Sequence, residues 1–338
     1  MINNKYELAY VDGSFLLTRS LWISCKGKRI EEFNPAEVVK ICIQSINKMA
    51  RDNGVTADKV IIIFDKWSPE YEGYYRSWLI KDYVKYKGSR KYITQEDLDT
   101  LRSTPGVTSE EIQKATRELA ISNLKYAAKD ILMNMGSIGL WGYRMEGYEF
   151  DDIATIASFQ RYQYQTKKDV IVTSDSDLKY SITPKTDLFR FKTSKNPATI
   201  ITYVEMYEEI PEEIRKRGVS LYQYKAFLES LSETHNDMIR TKKSGIGVNQ
   251  AILSILDGDY SVLENKEVFE AQMSTFDLSK FPNLQEVQRA IIQDFPSAGK
   301  HGNIIDFHKF CFNHGISGIS DRYYSELSGR FDTKLFSE

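Results

Sequence analysis

Five consecutive apolar residues, Val60-Ile61-Ile62-Ile63-Phe64, run directly into a single acid, Asp65. Successive side chains of a strand point to opposite faces, so a run with no polar alternation needs cover on both sides. That points to a central strand of a mainly parallel sheet held between helices. Similar runs at 8–11, 138–143 and 170–173, with weaker ones at 188–191 and 199–203, alternate with amphipathic stretches. Of these stretches, 35–51 places Val38, Val39, Cys42, Ile46 and Met49 on one helical side, and 109–135 places Ile112, Leu119, Ile121, Leu124, Ala128 and Ile131 at helical spacing. The alternation predicts an α/β fold with a mainly parallel central sheet flanked by helices. Residues 88–107 are polar and contain Thr104-Pro105-Gly106, which reads as an exposed, irregular connection. Beyond about residue 205 the pattern becomes helical, with helices expected at 221–233 and 248–256. The expected division is 1–205 for the sheet domain and 206–338 for a helical region.

Composition excludes more than it identifies. Cys25, Cys42 and Cys311 are scattered and odd in number, which argues against a disulfide framework and for a reducing, cytoplasmic setting. No run approaches the ~20 apolar residues of a membrane span, and the first residues lack a secretory pattern, so no membrane association is expected. No phosphate-binding Gly-x-x-x-x-Gly-Lys-[Ser/Thr] loop is present, which disfavours nucleotide-dependent enzymes. A net charge of −2 does not advertise a nucleic-acid binder. Local charge is uneven: Arg76, Lys81, Lys85, Lys87, Arg90 and Lys91 oppose only Asp82, a stretch that by itself reads as a solvated basic helix face, and Arg240, Lys242 and Lys243 form a second basic group.

Acids stand where apolar runs end. Asp12 follows Val11, Asp65 follows Phe64, and Asp175 and Asp177 follow Thr173 and Ser174; Glu149, Asp151 and Asp152 precede an apolar helical stretch. Ligands of open parallel sheets bind beyond the carboxyl ends of the strands. Any one of these acids is explained as a turn residue or helix cap. Together, carboxylates converging on one rim repel unless cations neutralise them, and hard oxygen-ligated magnesium suits that purpose. Two such ions can bind the attacking and leaving oxygens of a phosphoryl displacement.

In these residues the chain resembles the 5′-nucleases of the flap endonuclease family, especially the short bacteriophage and bacterial 5′-3′ exonucleases. Gly147-Tyr148-Glu149-Phe150-Asp151-Asp152 and Thr173-Ser174-Asp175-Ser176-Asp177-Leu178 are similar to that family's acidic motifs, in the same order after Asp12 and Asp65. Tyr86-Lys87-Gly88-Ser89-Arg90, with Arg76 upstream, resembles its Tyr-Lys-x-x-Arg segment, and Gly245-Ile246-Gly247 after Lys242 and Lys243 resembles its glycine hairpin. The departure is Ser232-Glu233-Thr234-His235-Asn236-Asp237, where the family usually carries Gly-Asp-x-x-Asp-Asn; Glu233 stands for the first aspartate, and Asn236 or Asp237 for the second.

The resemblance implies a PIN-like nuclease core, a helical arch over about 88–135 and a helix-hairpin-helix at about 221–257. It implies a structure-specific hydrolase of DNA or RNA–DNA phosphodiesters with two Mg2+ ions, for which Mn2+ would substitute. Asp65, Glu149, Asp151 and Asp175 would hold one ion; Asp152, Asp177 and Glu233 or Asp237 would hold the other; Asp12 would orient water. Lys87 and Arg90 would reach the scissile phosphate, Tyr86 and Arg76 the strand near it, and Lys242, Lys243, Gly245 and Gly247 the duplex backbone. Branched or nicked DNA and RNA–DNA hybrids are the implied partners of a monomer, working with replication proteins such as a polymerase, clamp or single-strand-binding protein in a bacterial or phage-infected cell. The alternatives are a PIN-type ribonuclease and a DNA-structure binder that has lost efficient catalysis. His301, His308, Cys311 and His314 fit no standard zinc spacing.

Overall fold

The computed structural model describes residues 5–65, 93–192, 197–232, 240–281, 283–298 and 304–319. Its strands are β1 (Tyr6–Asp12), β2 (Ala57–Ile63), β3 (Leu140–Tyr143), β4 (Lys168–Thr173), β5 (Thr186–Arg190) and β6 (Thr199–Ile201). They form a six-stranded sheet in the order β3-β2-β1-β4-β5-β6, parallel except for β6. Chain order therefore reverses between β1 and β4, and that gap is the topological switch point where open α/β sheets place ligands.

Alternation within the apolar runs sorts the strands' side chains into two layers. Ala9, Val11, Val60, Ile62, Phe64, Val170 and Val172 enter one core. Leu8, Tyr10, Ile61, Ile63 and Ile171 enter the other. The first face is covered by α1 (Gly13–Cys25), α2 (Pro35–Asn53) and α4 (Ser109–Met133), with α3 (Gln95–Ser103) preceding α4. The second is covered by α5 (Phe150–Arg161) and by the chain from α6 (Tyr203–Glu208) through α7 (Glu212–Arg215), α8 (Leu221–Leu231), α9 (Val248–Leu256), α10 (Lys266–Ser274), α11 (Leu284–Arg289) and α12 (Phe295–Ser297).

Local chemistry sets most boundaries. Asn34 caps α2 by accepting the Ala36 N–H at 2.9 Å, Pro35 occupies its first turn, and Gly54, at φ 64°, ends it. The run read as a strand at 138–143 is shortened, because Met135–Ile138 forms a 3-10 turn before β3. The run at 199–203 stops at Ile201, because Thr202 caps α6. The described part of 88–107 is not irregular throughout. Thr94 and Asp97 accept each other's backbone N–H, at 3.1 and 2.8 Å, and nucleate α3 in a charged segment that buries only Leu98. Helix α13 (Ile304–Asn313), which carried no sequence assignment, returns to the first core through Phe307, Phe310 and Cys311. Burial there pushes the Cys311 thiol up to about 11.

At the end of the sheet opposite the acidic motifs, Asp169 is fully buried. It accepts the Leu8 N–H at 3.1 Å, the Tyr10 hydroxyl at 3.0 Å and Arg161 Nε at 2.7 Å, while Arg161 also bridges Glu7 at 2.8 Å. This network ties α5 to β1 and β4 and so holds the frame on which the acids sit.

Candidate metal centre

Asp12 and Asp175 stand at the carboxyl ends of β1 and β4, on either side of the switch point. Asp12 caps α1, its Oδ1 accepting the Phe15 N–H at 2.8 Å, while its Oδ2 accepts the Thr173 hydroxyl at 2.8 Å. Thr173 Oγ1 in turn accepts the Asp175 N–H at 3.1 Å, and Asp175 Oδ1 accepts the Asp177 N–H at 2.9 Å. One buried hydroxyl therefore links two strand-end acids. The close seat of α1 requires Gly13: a Cβ there would lie 2.8 Å from the Ile63 carbonyl oxygen and 2.5 Å from the Phe64 ring.

From β2, the Asp65 carboxylate accepts the Phe150 N–H at 2.9 Å, which fixes the start of α5 against the neighbouring strand end. Asp152 Oδ2 accepts the Glu149 N–H at 2.9 Å, so this acid performs the capping role open to it from sequence. It does so without leaving the cluster: carboxylate oxygens of Glu149, Asp151 and Asp152 all lie within 4.8 Å of one another, with Glu149 and Asp152 buried. No other His/Cys/Asp/Glu group with this geometry occurs among the described residues.

Electrostatics join these pieces into one site. Burial raises the Asp12 carboxyl to about 7, with Asp65 and Asp175 adding to the rise and the bonds from Phe15 and Thr173 opposing it. Burial likewise raises Asp175; Asp177 and Asp151 push it further up, while the Asp177 N–H and Lys225 pull it down. Asp12 and Asp175 therefore feel neighbouring carboxylates across the strand ends. The donors are all carboxylate oxygens, a set suited to hard divalent cations such as Mg2+ or Mn2+.

Of the residues singled out in the sequence, Asp12, Asp65, Glu149, Asp151, Asp152, Asp175 and Asp177 thus gather at one rim. Arg76, Tyr86, Lys87, Arg90, Glu233, Asp237 and His301 lie outside the described residues. Lys242, Lys243, Gly245 and Gly247 form the turn entering α9. Lys242 donates to the Ile246 carbonyl at 2.8 Å, the Lys243 N–H bonds Val262 O at 2.9 Å, and Gly245 takes φ 82°.

Three contributors were not singled out as site residues in the sequence. Thr173 reads as the last residue of an ordinary strand. Lys129 of α4 donates to the Asp65 carbonyl at 3.0 Å and lies over the Phe64 ring, its ammonium pKa lowered by burial and by Arg144. Lys225 is buried in α8, 3.7 Å from Glu229, and acts on Asp175. Neither lysine falls in a basic cluster, so only the fold brings it to the acids.

Fold and site together define a doubly wound α/β protein with a carboxylate centre at its switch point. No protein-family model and no curated protein matches the chain. Among solved structures, it is similar to the bacteriophage T5 flap endonuclease in a pseudo-enzyme-product complex with DNA and metal ions. The TM-score is 0.48 at 17% identity, over 91% of this chain and 99% of that one. The T5 5′-exonuclease with bound zinc gives a TM-score of 0.47 at 17% identity, over 96% and 99%. Flap endonuclease-1 from Methanococcus jannaschii gives 0.45 at 14%, over 96% and 91%.

Proposed function

We propose that the chain is a divalent-cation-dependent 5′-nuclease that hydrolyses phosphodiester bonds of DNA or RNA–DNA near single-strand/double-strand junctions. The observation that carries this reading is the gathering of Asp12, Asp65, Asp175 and the Glu149–Asp151–Asp152 cluster at the sheet's switch point. Asp65, Glu149, Asp151 and Asp175 would hold one Mg2+, and Asp152 and Asp177 with Glu233 or Asp237 would help to hold a second. When bound, such ions acidify a water and neutralise phosphoryl oxygens. The protein's own part is positional. Asp12, fixed by Phe15 and Thr173, orients a water at the β1–β4 gap, and Lys129 places positive charge beside Asp65. By resemblance, Lys87 and Arg90 reach the scissile phosphate, Tyr86 and Arg76 the strand, and the Lys242–Gly247 turn the duplex backbone, contacts that would not depend on base sequence. Removal of primers or 5′ flaps in the cytoplasm of a bacterial or phage-infected cell fits this chemistry.

The test is cleavage of a 5′-labelled flap substrate with Mg2+, with EDTA, and with Asp175→Asn. Cutting near the junction that needs the cation and is lost in the variant is expected. Tight junction binding without cutting, with Mn2+ as well, would make the protein a DNA-structure binder instead.

A further inference from the structure

Helices α1 and α4 both leave the acidic centre, α1 from its Asp12 cap and α4 from Lys129 beside Asp65. Between them lies a cavity of about 500 Å3, lined mostly by apolar surface from Leu21, Trp22, Cys25 and Ile121. That volume falls within the ~300–1,000 Å3 typical of sites that enclose a small organic group. Trp22 borders the cavity and is 77% exposed, an unusual position for the largest apolar side chain.

The rest of the lining is biased in charge. Lys26, Arg117 and Lys125 border the cavity against one acid, Glu118. Arg117 donates to the carbonyls of Cys25 and Lys28, both at 3.1 Å, and thereby fixes the wall. On α4, Ser122, Lys125, Tyr126 and Lys129 follow the i, i+3, i+4, i+7 spacing of one helical face, and Tyr126 is 64% exposed. At ~1.5 Å per residue, Lys125 lies roughly 6 Å along α4 from Lys129, and Trp22 roughly 15 Å along α1 from Asp12. A basic, aromatic track thus continues from the acidic centre into the cavity.

We propose that this cavity takes the bases of a single-stranded nucleic acid, the unpaired arm of the substrate, with Trp22 as its stacking surface and Lys26 and Lys125 drawing in the phosphates. Unpaired bases offer free aromatic faces, and stacking on an exposed ring tolerates any sequence. A duplex does not meet this requirement, because its bases already stack on one another. The assignment rests on the nuclease reading for its substrate, but it is tested by binding as well as by cleavage.

The experiment measures anisotropy of a labelled single-stranded oligonucleotide in EDTA with the native chain, Trp22→Ala, Trp22→Phe and Lys125→Ala. Cleavage of a flap and of a nicked duplex with no unpaired arm is followed in parallel with Mg2+. Trp22→Ala is expected to weaken strand binding about 5- to 100-fold, the range that stacking on one aromatic ring supports, with Trp22→Phe restoring most of it. Lys125→Ala should lower the slope of log affinity against log salt by about 0.7, the loss of one phosphate contact on a single strand. Cleavage of the armless nick should not change in either variant. Strand binding by Trp22→Ala equal to that of the native chain would overturn the proposal even if flap cutting persists. Trp22-dependent strand binding by a native chain that cuts nothing would uphold the groove and refute the nuclease reading.

Discussion

Thr173 Oγ1 donates to Asp12 Oδ2 at 2.8 Å while accepting the Asp175 N–H at 3.1 Å, so one hydroxyl sets the spacing of two strand-end carboxylates across the switch point. Outer-shell partners of metal ligands generally affect affinity about 10–100-fold. Thr173→Val keeps the shape and removes both bonds. Divalent-cation affinity, measured by calorimetry, is expected to fall about tenfold or more, and urea unfolding to show a loss of about 1–3 kcal/mol from the unsatisfied buried groups. Unchanged cation affinity would reduce Thr173 to a strand residue.

The raised Asp12 and Asp175 carboxyls predict how stability depends on pH without metal. The folded chain keeps the Asp12 proton up to about pH 7, whereas the unfolded chain releases it near 3.8, so the folded state binds more protons in between. Stability in EDTA should therefore fall as pH rises through this window, by at most about 1.4 kcal/mol per pH unit for each such group. Divalent cation should oppose the fall, and its affinity should climb over the same range as it displaces the proton. Thermal unfolding against pH, with and without Mg2+, checks both signs.

Asp169 and Arg161 form a buried pair at the opposite end of the sheet, with Asp169 also accepting from Tyr10 and Leu8. Removing one member strands a buried charge, so Asp169→Ala should destabilise the chain by about 3–5 kcal/mol. Because the pair lies at the start of β4 and the acids at its end, any variant that stays folded should keep its cation affinity. Denaturant unfolding and a metal titration separate the two effects.

Lys225 competes for the acids as a resident cation. Lys225→Met should leave the Asp175 carboxyl holding its proton more tightly but, once ionised, facing a more negative surrounding potential. That is expected to tighten divalent binding several-fold above the carboxyl's pKa, an electrostatic effect on the order of 1 kcal/mol. Calorimetry with Mn2+ reads it directly; weaker binding would mean that Lys225 holds the ligand geometry rather than opposing the metal.

The sequence by itself determined the frame. Uninterrupted apolar runs have one economical placement, between two helical layers, and Asn34 before α2, Pro35 at its first position and Gly54 after it write that helix's ends locally. Acids directly after those runs are carried to one rim by parallel pairing, so Asp12, Asp65, Asp175 and the Glu149 motif could be named together. Helix α1 was not legible, because exposed Trp22 and Ile23 interrupt any apolar stripe beside buried Leu16, Leu17 and Leu21. Helix α13 was not, because its apolar face is meaningful only against a core built some 250 residues earlier in the chain. Only the tertiary structure decided that Thr173 joins Asp12 to Asp175, that Lys129 and Lys225 flank the acids, and that Asp152 caps α5 while remaining among them. The physical reason is that periodicity and capping act over one or two turns and are written in neighbouring residues. Hydrogen bonds and charge pairs between strand ends depend on distances that exist only after the sheet has closed.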